Sequence, residues 1–284
     1  MKCFYHSADL DGHCSGAIVR MANPKCELHG VNYGKDSIVE DFVNDGEDVF
    51  MVDFTLQPFD RMIALAKKCN LVWIDHHKTE IDEMMKNYEK LPFGREIEGI
   101  QRVGIGACAL VWEYFYGKKT IPEAVKLLAE YDVWNHSDPK TLPFQYGMRT
   151  HDTWPDMDLL WNNVFDDNSG AVERITSTGR IVLNYEESQN KKFCEAYSFE
   201  TEFNGFKAIC CNRGFTNSKV FDSVHDEYDL MVTFCRLPLP HKKWTVSLYT
   251  HRDDLNVGEI ARNYGGGGHL KAAGFQCNQL PFEV

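Results

Sequence analysis

Hydrophobic residues recur along the first half of this chain as short runs that end in acid or imidazole. Residues 2–7, 27–33, 48–54 and 71–75 are rich in β-branched and aromatic side chains and predict strands. Between them, 12–21, 37–44, 58–69 and 79–88 carry apolar residues at helical spacing and predict helices. Thr79 with Asp82 and Glu83 behind it is a good helix start. Strands that alternate with helices predict an α/β fold, with a parallel sheet and right-handed crossovers. Two further helices are predicted over 104–116 and 122–132.

The pattern weakens from 136 to 170, which reads as irregular chain or short helices. Residues 175–193 predict one long helix able to join two domains. The texture then changes. Residues 206–211, 230–235 and 244–250 predict strands, 255–264 a helix, and 272–277 a final strand. A glycine run, Gly265-Gly266-Gly267-Gly268-His269, stops that helix. The expected organisation is an N-terminal domain over 1–174, a linker helix over 175–198 and a smaller C-terminal α/β domain over 199–284.

Composition narrows the picture. The apolar and charged fractions, 43% and 25%, are those of a globular protein, and 284 residues suffice for two cores. A net charge of -12 disfavours a broad surface for long duplex nucleic acid, which needs many exposed cations. It leaves room for a small anionic substrate held by metals and a few local basic groups. The ten cysteines include no C-x-x-C pair and read as reduced thiols. The segment Met1-Lys2-Cys3-Phe4-Tyr5-His6 lacks the apolar stretch of a signal peptide, and no run approaches membrane-spanning length. A cytoplasmic location with no membrane partner is expected.

The chemistry sits at the ends of the runs. Asp75-His76-His77 follows Leu71-Val72-Trp73-Ile74, Asp53 closes the third run, and His6 with Asp9-Leu10-Asp11-Gly12 follows the first. In an open parallel sheet, ligands bind beyond the carboxyl ends of the strands. In an extended segment residues two apart face one way, so Asp9 and Asp11 are expected to converge, with Gly12 allowing a sharp turn. Asp132 ends the helix that contains Ala129-Glu130-Tyr131. Any one of these aspartates alone is more often a cap or loop residue. Asp9-Leu10-Asp11-Gly12 also lacks the later ligands of a calcium loop. Together they point to a metal centre. Carboxylates about 4 Å apart repel by roughly 4 kcal/mol per pair at an effective dielectric near 20. Two dications would balance Asp9, Asp11, Asp53 and Asp132. The mixed oxygen and nitrogen donors suit Mn²⁺ best and accept Mg²⁺, Co²⁺, Fe²⁺ or Zn²⁺. Such pairs hydrolyse phosphate esters through a metal-activated hydroxide.

These residues resemble the DHH phosphoesterase superfamily. His6 with Asp9-Leu10-Asp11-Gly12 resembles its first motif, Asp53 its second, Asp75-His76-His77 its third and Asp132 its fourth. The glycine run, continuing Leu270-Lys271-Ala272-Ala273-Gly274-Phe275, is similar to the signature of the DHHA1 domain. Many small relatives place three residues between the first histidine and aspartate, where this chain has only Ser7 and Ala8. The resemblance implies one ion on His6, Asp9 and Asp53, and a second on Asp11, Asp53, His76 and Asp132. It implies that Asp75 orients a ligand and that His77 faces the substrate phosphate. It places the active site in a cleft between the two domains. Arg213, Gly266, Gly267, Gly268 and His269 are its implied substrate contacts.

The chain is too short for the added nucleic-acid-binding barrel of RecJ-type exonucleases, and the glycine signature separates it from inorganic pyrophosphatases. The implied activity is two-metal hydrolysis of short RNA or DNA oligonucleotides or dinucleotides to mononucleotides, by a monomer or homodimer. Alternatives are a phosphomonoesterase acting on 3′-phosphoadenosine 5′-phosphate, a cyclic-nucleotide phosphodiesterase, and an inactive nucleotide- or RNA-binding protein on the same scaffold.

Overall fold

The alternating runs do form a parallel sheet. In a computed structural model of the protein, which describes residues 1–33, 39–91, 97–238, 240, 242–268 and 270–283, the first four strands are β1 (Lys2–His6), β2 (Glu27–Val31), β3 (Asp48–Val52) and β4 (Asn70–Ile74). They lie in the order β2-β1-β3-β4, all parallel. Helices α1 (Leu10–Ala22), α2 (Asp60–Lys68) and α3 (Lys78–Lys86) follow β1, β3 and β4. After them come α4 (Ala107–Tyr116), α5 (Glu123–Asp132), α6 (Thr141–Met148), α7 (Asp158–Phe165) and α8 (Ala171–Tyr197).

The period of two along the strands decides which face each residue serves. Cys3, Tyr5, Phe50 and Val52 pack with α1, α4 and α5. Phe4, Val49, Met51 and Trp73 pack on the opposite face with Met62, Ile63 and Leu65 of α2. A sheet buried on both faces needs nearly continuous apolar strands, as these are. The chain leaves β1 for β2 and returns to β3 on the other side of β1. The carboxyl ends of β1 and β3 therefore flank the point where the strand order reverses, which is where an open α/β sheet binds its ligands.

The described residues divide into two compact units, Met1–Leu183 and Asn184–Val284. The second holds a mixed six-stranded sheet, β5 (Ser198–Phe203), β6 (Phe206–Asn212), β7 (Leu230–Arg236), β8 (Trp244–Tyr249), β9 (Gly267–Gly268) and β10 (Ala272–Cys277), in the order β5-β6-β7-β8-β10-β9. Only β6 and β7 run parallel among these pairs. Val257, Ile260 and Ala261 of α9 (Val257–Asn263) pack on one face, and Cys194, Val220, Phe221 and Tyr228 on the other.

Two expectations change, and the reading of 136–170 resolves to the second of its alternatives, short helices. Part of the helix expected over 37–44 lies outside the described residues, and the remainder is a single 3-10 turn, Val39–Phe42. The weakly patterned stretch holds the two ordered helices α6 and α7, and Trp161 of α7 is buried core. The long helix is longer than expected, at 27 residues. Its crossing with α6 is close. A Cβ added to Gly179 would lie 1.6 Å from the Pro143 carbonyl oxygen, and one added to Gly147 would lie 2.1 Å from that of Ile175. All ten cysteines are free thiols, eight of them buried. Among the described residues no helix is long and apolar enough to cross a membrane.

Candidate metal centre

Each strand end delivers its acid or imidazole by a different local device. Asp9 is the N-cap of α1, with extended backbone, and its carboxylate accepts the Gly12 N–H at 2.9 Å. Asp11 therefore lies in the first turn of a helix rather than in an extended segment, and the two carboxylates part company. Asp9 Oδ2 lies 3.1 Å from His6 Nδ1, whereas Asp11 Oδ2 lies 3.9 Å from His76 Nε2. The role expected of Gly12 is corrected too. It is a helical residue, and a Cβ there would sit 2.0 Å from the His6 carbonyl oxygen, so close packing rather than a sharp turn demands glycine.

Asp11 shows what the sequence could not. Its carboxylate, buried against the sheet, accepts the Ala107 and Cys108 N–H groups at 2.6 and 2.9 Å. These are free donors at the N-terminus of α4, where the helix dipole favours negative charge. Burial, and then the charge of Asp53, push the Asp11 carboxyl above its ordinary range.

Asp53 stands between the two histidines. Oδ1 lies 3.3 Å from His76 Nε2 and Oδ2 lies 3.6 Å from His6 Nδ1. The residue is buried and has a left-handed backbone, φ 55°. Aspartate is one of the few residues besides glycine that visit that conformation. Burial, and then the charge of Asp9, raise its carboxyl pKa. Asp132 ends α5 with Oδ2 3.2 Å from His76 Nε2, and burial with the Asp11 charge raises it in turn.

Asp75 is fully buried and fully engaged. Oδ1 accepts the His76 and His77 N–H groups at 2.7 and 3.1 Å and lies 2.7 Å from His77 Nδ1. Oδ2 accepts from Thr55 Oγ1 at 2.6 Å and Trp73 Nε1 at 3.2 Å. Burial alone would lift its pKa, but the His77 imidazole and these hydrogen bonds hold it below the usual carboxylate range. Thr55 and Trp73 are site-supporting residues that sequence reasoning missed. Their only signal was a hydroxyl and an indole within a few residues of strand-end acids.

Three overlapping groups result: His6, Asp9 and Asp53; Asp11, His76 and Asp132; and Asp53, Asp75, His76 and His77. Within each, one donor atom per residue lies within 4.8 Å of the others. The donor chemistry fits divalent cations. His6 Nδ1 is buried, faces two carboxylates and makes no hydrogen bond. A buried ring nitrogen of that kind is what a metal would complete.

Protons do the balancing that cations otherwise would. Burial tends to discharge His6 and His76, but Asp53 foremost, with Asp9 beside His6 and with Asp11 and Asp132 beside His76, lifts both pKa values to about 10. An imidazole binds a metal only when neutral, so binding must expel protons. Mn²⁺ affinity is therefore expected to rise with pH across the neutral range, by up to about tenfold per pH unit for each proton released. Calorimetric titration in buffers of different ionisation enthalpy counts the protons. A count of zero at neutral pH would contradict this account of the site.

The remaining sequence-derived candidates lie in the second unit. Arg213 donates from Nη1 to Asn190 Oδ1 at 2.8 Å, and its guanidinium lies 4.8 Å from the Phe193 ring centre. In the glycine run, a Cβ on Gly266 would meet the Gly274 carbonyl oxygen at 2.1 Å, and one on Gly268 would meet Ala273 Cα at 2.5 Å. A Cβ on Gly267 would meet nothing within 4 Å. His269 lies outside the described residues.

Comparison with known proteins follows the same lines. No family model matches the chain. An uncharacterized protein of Acanthamoeba polyphaga mimivirus is 24% identical over 254 residues, an alignment that covers 84% of this chain and 56% of that protein. The chain thus spans little more than half the length of that curated relative. Among solved structures, a pGpG-specific phosphodiesterase from Vibrio cholerae is similar at 14% identity and a TM-score of 0.56, over 97% of this chain and 92% of that one. The DHH domain of a member of a ribosomal-protein family is similar at 13% identity and a TM-score of 0.60, over 96% of this chain and 81% of that one. At such identities the likeness establishes architecture, and the chain shares the fold of these two structures, one of them a DHH domain.

Proposed function

We propose that the chain is a divalent-metal-dependent phosphoesterase that cleaves phosphodiester bonds in dinucleotides or short oligonucleotides. One observation carries the reading. Four carboxylates and two imidazoles are crowded at the switch point of a parallel sheet, with a buried His6 Nδ1 facing two of the carboxylates. The similarity to a pGpG-specific phosphodiesterase supports the substrate class.

His6, Asp9 and Asp53 would hold one ion and Asp11, Asp53, His76 and Asp132 the other, with Asp53 shared. When bound, such ions supply Lewis acidity and a water that ionises near neutral pH. Manganese is the ion we favour for this mixed donor set. Asp75 acts through its neighbours. It fixes the loop by accepting both histidine N–H groups, and it holds the His77 ring by Nδ1. Burial works against protonation of His77, but Asp75 raises its pKa to about 9. With Nδ1 held by Asp75, its Nε2 is left to meet a phosphate anion.

Gly267 is the position in the glycine run whose lack of a side chain neither packing nor a left-handed backbone explains; Gly265, equally uncrowded, has φ 77°. Gly267 is the residue we assign to close approach of the substrate backbone, with Arg213 and His269 as further contacts. Gly267→Ala is expected to raise KM with little change in Tm, while Gly266→Ala lowers Tm by several degrees. Equal thermal shifts in both would remove the distinction.

The direct test is a turnover screen with Mn²⁺ and with chelator, using a linear dinucleotide, a five-residue RNA, a cyclic dinucleotide and 3′-phosphoadenosine 5′-phosphate. Chelator-sensitive cleavage of the dinucleotide or short RNA is expected. Preference for phosphoadenosine phosphate would reassign the chain as a phosphomonoesterase. Binding without turnover of any of the four would make it a nucleotide-binding protein.

A further inference from the structure

Helix α5 ends in a way that its sequence does not favour. The Trp134 N–H donates to the Tyr131 carbonyl at 2.9 Å, and the Asn135 N–H donates to that of Glu130 at 3.0 Å. This is the paired hydrogen-bond pattern in which the first residue past the cap turns left-handed, a position that glycine usually fills. Here it is Trp134, at φ 54°. A bulky residue there is strained, and glycine would relieve the strain. The indole gains little burial in return, since Trp134 remains 53% exposed. Fold stability alone does not account for the half of the residue left exposed.

The surroundings hold that exposed ring in place. Its centre lies 5.7 Å from the Tyr131 ring and 4.7 Å from His136, which stacks on Tyr131 at 5.6 Å. The Arg149 guanidinium donates to the Tyr131 hydroxyl at 2.9 Å. Glu130 fixes the loop beyond by accepting the Asp138 N–H at 2.9 Å and the Thr141 hydroxyl at 2.8 Å. The position matters as much as the rigidity. Trp134 is two residues from Asp132, so their Cα atoms are at most about 7 Å apart. Asp132 in turn reaches His76 in the metal-ligand cluster.

We infer that Trp134, propped by Tyr131 and His136, is a stacking platform for a nucleobase of the substrate. This assignment rests on the phosphodiesterase reading and deepens it. The residue next to the phosphate centre selects substrates that carry a base, whatever its identity, because every base offers a flat π-face. Trp134 is thus a binding and specificity residue that takes no part in bond cleavage.

The test compares KM for a linear dinucleotide with KM for the same phosphodiester lacking one base, in the manganese-loaded 284-residue chain. In Trp134→Ala the preference for the base-bearing substrate is expected to fall by roughly five- to a hundredfold, mostly in KM rather than kcat. Trp134→Phe should keep most of it. Trp134→Gly should lose the preference while raising Tm, a combination that a purely structural role would not give. An unchanged KM ratio in the alanine and glycine variants would overturn the inference. If the wild type cleaves no phosphodiester, the function proposed above fails separately. The platform is then read from tryptophan fluorescence, with AMP quenching the wild type more than Trp134→Phe and ribose 5-phosphate quenching neither. Equal AMP quenching in the two proteins would overturn it there.

Discussion

Asp53→Asn is expected to lower Mn²⁺-supported phosphodiester hydrolysis by on the order of 10³-fold, comparable to losing a principal electrostatic group from an active site. The same change should make the metal-free protein more stable at alkaline pH. Both effects come from one placement. Asp53 approaches both His6 and His76, so it is placed to serve both proposed ion positions. Burial and the Asp9 charge raise its folded pKa above the unfolded value. The folded state therefore holds this proton more tightly, and the wild type loses stability as pH rises from the ordinary carboxylate range through the raised value. Asparagine carries no charge and accepts the left-handed backbone at φ 55° readily, so the variant lacks that loss. Steady-state hydrolysis and calorimetric melting at a low and a high pH measure the two halves. Wild-type activity in Asp53→Asn would end the metal assignment.

The second large effect concerns folding rather than chemistry. Gly179→Ala should destabilise the protein by about 3 kcal/mol, at the upper end of overpacking costs. The added methyl would lie 1.6 Å from the Pro143 carbonyl oxygen and 2.6 Å from the Gly147 nitrogen, and both neighbours are backbone that cannot rotate aside. Helices α6 and α8 would have to separate. Gly147→Ala meets the same crossing from the other side, so the two penalties should sum to less than their separate values. Exposed Ser177→Ala, two residues away, serves as the near-neutral control. Urea unfolding gives the comparison, and an unchanged midpoint in Gly179→Ala would show the crossing to be looser than described.

What the chain discloses before folding depends on range. The strands β1, β3 and β4 are apolar on both faces and stop at acids, so pattern and chemistry coincide and both are legible. Strand β5 was invisible because Glu200 and Glu202 interrupt its apolar residues, as suits a sheet edge that must resist pairing with other chains. Helix α6 was obscured by Pro143 and Gly147, although proline is tolerated in a first turn and glycine permits the close crossing. The acids and imidazoles that cluster were legible because each lies beside its own strand or helix end. Their attachments were not. Asp11 is fastened by backbone N–H groups 96 and 97 residues away, and no side-chain pattern announces a peptide nitrogen as partner. The divergence of Asp9 from Asp11 was missed for a related reason. The helix begins two residues earlier than expected, at Leu10, and that puts Asp11 in its first turn and separates their directions.

The two carboxylates also differ in how firmly they are held. Asp11 is clamped by two peptide donors and its side chain is 1% exposed, while Asp9 accepts a single peptide N–H and is 40% exposed. If each grips a cation, the inner one leaves slowly, since its ligand cannot swing away. The outer one exchanges with the solvent readily. Dialysis would then yield a half-loaded protein before an empty one, with the looser berth the first to respond to the supply of free cation.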